Sequence, residues 1–238
     1  MIRITKKNES GLMAKFRLAT QVGFIFFGLF ATMASGSETE LFFLKPDSIN
    51  PSTVLSAPPA PGSERDVHDM REVLRRQEEV RTLKICTRTK AVGDPATTLE
   101  RVFGQILSAD EITKWSPFFL RIQNDQRVIR ALVKDVFKRN RPSITNPEVK
   151  PCLKILATPS YPSGHSTMAH VSAAVFSLLD PSREAAFDAI ALQISEDRVN
   201  VGVHYPSDID AGRRLAEAIV AEFQKNPDFQ DEIKALKK

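Results

Sequence analysis

Residues 163–179 read SGHSTMAHVSAAVFSLL, and this stretch decides the fold. Apolar side chains fall on nearly every side of the helix it would form, interrupted by small hydroxyl residues and His170. A surface helix carries one apolar stripe, whereas a helix apolar all round belongs in the middle of a bundle, wrapped by its neighbours. Downstream, Pro181 predicts the start of a helix through about Asn200, and Pro206 with Ser207 another through Phe223, because the first turn of a helix tolerates proline. Upstream, Ser108 and Glu111 have capping-box spacing, and Ile122 to Phe137 carries Val128, Ile129, Leu132, Val133 and Phe137 on one side until Pro142 stops it. Val67, Met70, Val73 and Leu74 mark a further amphipathic helix within a charged segment reaching about Lys84. No run alternates with period two and no unit repeats. The expectation is an all-α, single-domain helical bundle.

Ahead of it, residues 41–63 contain Pro46, Pro51, Pro58, Pro59 and Pro61, which predict an extended, Pro-rich N-terminal segment. Residues 1–36 read as a signal peptide: Lys6, Lys7, Lys15 and Arg17 are basic, Val22 to Ala34 is apolar, and Ala34, Ser35 and Gly36 are small. The competing reading is an uncleaved anchor, but the apolar run is shorter than the roughly 20 residues a spanning helix needs. The sequence therefore predicts a signal at 1–36, a domain at 37–238, a periplasmic location and a mature form not embedded in the membrane.

The net charge of +4 suits anionic substrates, yet no dense Lys/Arg stripe runs along any segment, so no nucleic-acid partner is expected. Cys86 and Cys152 can form one disulfide in an oxidising compartment or remain two buried thiols. Neither CxxC nor HxxxH spacing accompanies them, which argues against zinc. The number of chains in the active form, including a homo-oligomer, is left open.

Three clusters carry chemistry: Lys134, Arg141 and Pro142; then Pro162, Ser163, Gly164 and His165; then Arg198, His204 and Asp208. Each alone is weak, since a lone basic residue is usually a solvated charge and a lone histidine usually structural. Together they form what phosphoryl transfer without a metal requires. The transferred group spreads negative charge over its equatorial oxygens, so catalysis rests on positioning and on fixed positive charge. Lys134, Arg141 and Arg198 supply cations, the arginines with a planar fork that grips two oxygens. The seven-residue spacing of Lys134 and Arg141 predicts one helix face. Ser163 and Gly164 sit where the buried helix begins, where unpaired N–H groups cradle anions, although an ordinary N-cap also explains Ser163. His165, one residue on, can act as general acid. Asp208 lies four residues after His204, placed to accept a hydrogen bond from one ring nitrogen and leave the other free to attack phosphorus. His68 and His170 match no cluster.

In this order the clusters resemble the type 2 phosphatidic acid phosphatase superfamily, which also contains the vanadium-dependent haloperoxidases, and more narrowly the bacterial class A nonspecific acid phosphatases. FLKPDSIN from Phe43, the later APPAPGS and NPDF from Asn226 are similar to that group as well. The resemblance implies an all-helical, exported phosphatase acting on small phosphate esters at acid pH, with no cofactor or metal. It implies that Lys134, Arg141, Ser163, Gly164 and Arg198 bind phosphate, that His165 protonates the leaving group, that His204 becomes phosphohistidine and that Asp208 orients His204. One position departs: the group usually has Ser where this chain has Asp197, which would either pair with Arg198 or point away. The rival readings are a lipid phosphate or pyrophosphate phosphatase, a vanadate-dependent haloperoxidase and a passive phosphate-binding protein.

Overall fold

A computed structural model describes residues 40–92 and 99–237; the expected signal peptide lies outside them. The helices are α1 (Pro51–Val54), α2 (Glu64–Glu79), α3 (Leu83–Ala91), α4 (Ala109–Phe137), α5 (Pro142–Thr145), α6 (Gly164–Leu179), α7 (Glu184–Asn200), α8 (Pro206–Phe223) and α9 (Pro227–Lys237). A π-helical turn at Leu99–Phe103 and a 3-10 turn at Pro181–Arg183 complete them, and among the described residues there is no strand. The bundle expected from the sequence is the bundle observed. Among the described residues no helix is long and apolar enough to cross a membrane.

The all-round apolar helix is α6, packed between α7, α8 and α4. Phe176 on α6 stacks on Trp115 and Phe119 of α4 at 5.6 Å and meets Phe103 edge-on at 5.0 Å. These are preferred aromatic geometries, and they add specificity to the apolar burial that drives assembly.

Two helices differ from their sequence expectation. The capping box at Ser108 and the apolar run from Ile122 belong to one 29-residue helix, α4, which continues through Pro117. An interior proline costs about 3 kcal/mol. Trp115, Phe118 and Phe119 are all buried beside it, at about 1.5–3 kcal/mol each, and together outweigh that cost. On α2 the buried residues are Asp69 and Val73, while Val67 is 47% exposed. The inward face is thus rotated toward a carboxylate that apolar periodicity alone passes over.

The segment before α1 is tied down by Asp125 of α4, whose carboxylate accepts the backbone N–H groups of Phe42, Phe43 and Leu44 at 2.9, 2.7 and 3.1 Å. Phe43 packs against Phe118, Phe223 and Phe229, which links α4, α8 and α9. Cys86 and Cys152 form a disulfide that joins α3 to the loop after α5.

Candidate active site

The three clusters converge at the N-terminal end of α6. Lys134 stands in the last turn of α4, which closes on Lys138 in the left-handed conformation (φ 44°). Arg141 follows in extended backbone, φ −78° and ψ 156°, as residues before proline prefer. The two cations therefore do not share a helix face as their spacing predicts. The chain turns between them, and both side chains are buried at the site. His204 sits in the turn between α7 and α8, shaped by Gly202 at φ +78°, where a side chain would strain the backbone. The backbone N–H of Ser163 donates to the Asp208 carbonyl at 2.9 Å and so joins the second cluster to the third.

Two cavities meet here. One, of 350 Å³, is lined by Thr89, Lys90, Cys152, Leu153, Lys154, Arg198 and Val203; the other, of 230 Å³, by Arg127, Arg130, Lys134, Thr158 and Gly164. Arg141, Leu156, His165 and His204 belong to both walls. Asp208 is fully buried behind His204. Ser163 is absent from both walls: its buried hydroxyl accepts the Ser166 N–H at 3.4 Å, as an N-cap.

His204 Nδ1 lies 3.2 Å from Asp208 Oδ2. With Nδ1–H donating to that carboxylate, Nε2 carries the lone pair, and Arg141 donates to it across 3.2 Å. Arg141 is held in turn by the carbonyls of Val203 and Thr158, at 2.9 and 3.0 Å. Burial lowers His204 to about 3, assisted by the Arg141 charge and only partly opposed by Asp208, so the ring is neutral. Burial, then Arg198, His204, Arg130 and Arg141, hold His165 well below its ordinary value. Lys134 falls to about 7 through burial and the neighbouring Arg141 charge. Arg198 donates to the Thr89 carbonyl at 2.9 Å, and its Nε is buried with no partner among the described residues. Asp208 and Asp197 offset these confined cations only in part, so the site favours an anion.

Sequence reasoning missed several participants. Arg130 lies against Gly164, where a Cβ would come within 2.9 Å of its Cδ, and it donates to the Gly164 carbonyl at 3.0 Å. The room that glycine leaves is therefore used by a fourth cation. Arg139 donates to Asp208 Oδ1 at 2.9 Å, and Ser160 donates its hydroxyl to Oδ2. The one available signal was a charged residue, Asp69, on the inward side of α2. Asp197 does not turn to Arg198: it accepts two hydrogen bonds from Arg88, at 2.6 and 2.7 Å. His170, 3.3 Å from Ser195 Oγ, stands away from the site.

Two histidines and four buried or half-buried cations thus line the junction of two cavities in a helical domain. Residues 126–227 match the PAP2 superfamily. The chain is similar to a non-specific acid phosphatase of Providencia stuartii, 26% identical over 90% of this chain and 92% of that one. A 53-residue stretch is 51% identical to lipid A 1-phosphatase of Rhizobium etli, covering 22% of this chain and 23% of the relative. Among solved structures, the first transmembrane PAP2 type phosphatidylglycerolphosphate phosphatase from Bacillus subtilis shares the fold, with a TM-score of 0.51, 19% identity and coverage of 69% of this chain and 87% of that one.

Proposed function

We propose that this chain is an exported acid phosphatase that hydrolyses small phosphomonoesters through a phosphohistidine at His204. The observation that carries the reading is the Asp208–His204–Arg141 line, which leaves one neutral ring nitrogen on the wall of both cavities beside His165. Similarity to a non-specific acid phosphatase over nearly the whole chain supports the reaction class, and the disulfide supports an oxidising compartment.

In this reading the phosphate group sits among Arg141, Arg198, Lys134, Arg130 and the first N–H groups of α6, and its negative charge raises the affinity of His165 for a proton. Nε2 of His204 attacks phosphorus, the bond to the leaving oxygen breaks, and His165 donates its proton to that oxygen. Water then attacks the phosphohistidine with His165 as base, releasing inorganic phosphate.

Rapid acid-free quenching with a ³²P-labelled ester tests this: label should appear on His204, turn over at kcat and survive EDTA. No label on His204, or activity lost in EDTA and restored by zinc, overturns it.

A further inference from the structure

We propose that Arg139 is a positioning residue for catalysis, acting with Asp66 and Asp69 of α2 to hold the Asp208–His204 pair in its attacking geometry. The inference rests on the reading of His204 as nucleophile. None of the three belongs to the sequence clusters, and α2 lies outside the 126–227 family match.

The guanidinium of Arg139 is nearly buried and uses both terminal nitrogens. One donates to Asp208 Oδ1 at 2.9 Å and to Ser207 Oγ at 2.7 Å; the other donates to Asp66 at 3.0 Å and Asp69 at 2.9 Å. Its flat face lies 3.8 Å from the centre of the Tyr205 ring, the residue between His204 and α8. A lysine fills that role only in part, keeping the charge beside Asp208 but not the planar fork that bridges carboxylates on two elements.

Asp208 is consequently saturated. Oδ1 is taken by Arg139, and Oδ2 accepts from Ser160, from His204 and from the Tyr205 backbone N–H at 3.0 Å. The carboxylate has no freedom to rotate away from Nδ1. Asp69 closes the arrangement from outside: it accepts the Ser207 backbone N–H at 3.2 Å and the Ser207 hydroxyl. It thereby caps the first turn of α8, where the N-cap residue Tyr205 has no suitable side chain. Asp69 and Asp208 are both buried, and Arg139 is the cation between them. The other titratable or charged groups bearing on Asp208 are the neutral His204 and the cations Lys134 and Arg141, all on the phosphate side. Without Arg139 two buried carboxylates would face each other, and the orienter would bind a proton more readily.

The test compares Arg139→Gln, Arg139→Lys and Asp69→Asn with the wild type on p-nitrophenyl phosphate between pH 4 and 8. The groups that hold phosphate are untouched, so KM and inhibition by inorganic phosphate should change little. kcat should fall about 10²-fold in Arg139→Gln, the scale of a misplaced reacting group, and the acid limb of the profile should move to higher pH. Arg139→Lys should recover part of the rate and move the limb back. If Arg139→Gln does not fold, Asp69→Asn decides, with a smaller loss in kcat at unchanged KM. A folded variant that keeps wild-type kcat, or loses activity through KM alone, overturns the proposal. Phosphohistidine labelling of the wild type separates the two readings: label on wild-type His204 with unaffected variants defeats only the role of Arg139, whereas no label on the wild type defeats the nucleophile itself.

Discussion

Asp208 Oδ2 lies 3.2 Å from His204 Nδ1, and on the opposite side of the ring Arg141 lies 3.2 Å from Nε2. The nitrogen proposed as nucleophile is therefore covered by the same arginine that would grip phosphate. Binding of an anion should draw Arg141 onto its oxygens and uncover the lone pair, so that capture of substrate and exposure of the nucleophile are one event.

The histidines should respond differently to the leaving group. His204→Ala should abolish turnover of every ester, since no covalent intermediate forms however easily the alcohol departs. His165→Ala should be severe for alkyl phosphates and milder for p-nitrophenyl phosphate, a gap of at most about 10²–10⁴-fold, the range of positioned proton transfer. Equal losses on both ester classes would remove His165 from the general-acid role.

Stability should fall with acidification. The folded value of His204 is depressed from 6.5 to about 3 by burial, so the unfolded chain binds a proton more readily between those values. Lys134, depressed from 10.5 to about 7 chiefly by burial, acts in the same direction over the window from pH 10.5 down to 7. The melting temperature should drop as pH falls from 9 toward 4, and saturating phosphate should flatten the slope by offsetting the confined positive charge. A melting temperature that rises on acidification without phosphate contradicts the depression of both groups by burial.

Asp197, the one departure from the pattern that the resemblance implies, is spent on Arg88. It still adds negative charge beside Arg198, whose value it raises against the lowering by burial. Asp197→Ser should therefore tighten inhibition by phosphate several-fold, while costing about 1 kcal/mol of stability through loss of the ion pair between buried Asp197 and partly exposed Arg88. Weaker phosphate inhibition in that variant would mean that the pairing with Arg88 positions Arg198.

The Cys86–Cys152 disulfide closes a sequence separation of 66 residues and lies on the cavity wall through Cys152. Loop-closure entropy assigns such a link roughly 4 kcal/mol. Cys86→Ser/Cys152→Ser should lower the urea midpoint accordingly, and unchanged stability would show that α3 docks without it.

Export should leave a mature chain beginning near residue 35 or 37 in a detergent-free periplasmic extract. An intact N-terminus in the membrane fraction would favour the anchor reading.

The sequence by itself determined the bundle and the chemical inventory, because both are written locally. The apolar periphery of residues 163–179 demands neighbours on all sides, and the spacing of His204 to Asp208 across a helix start brings them together in any fold that keeps that helix. What only the tertiary structure decided is how the inventory is charged and held. Arg139 is one more basic residue in KRNRP until α2 sets Asp66 and Asp69 against it, and Arg130 is a surface-like arginine until Gly164 makes room for it. Asp197 could have turned either way until α3 offered Arg88. Spacing along the chain specifies which side chains one helix turn can unite. Desolvation, ion pairing and the sharing of one carboxylate among several donors depend on elements distant in sequence and adjacent only in space, so they exist only once the chain is folded.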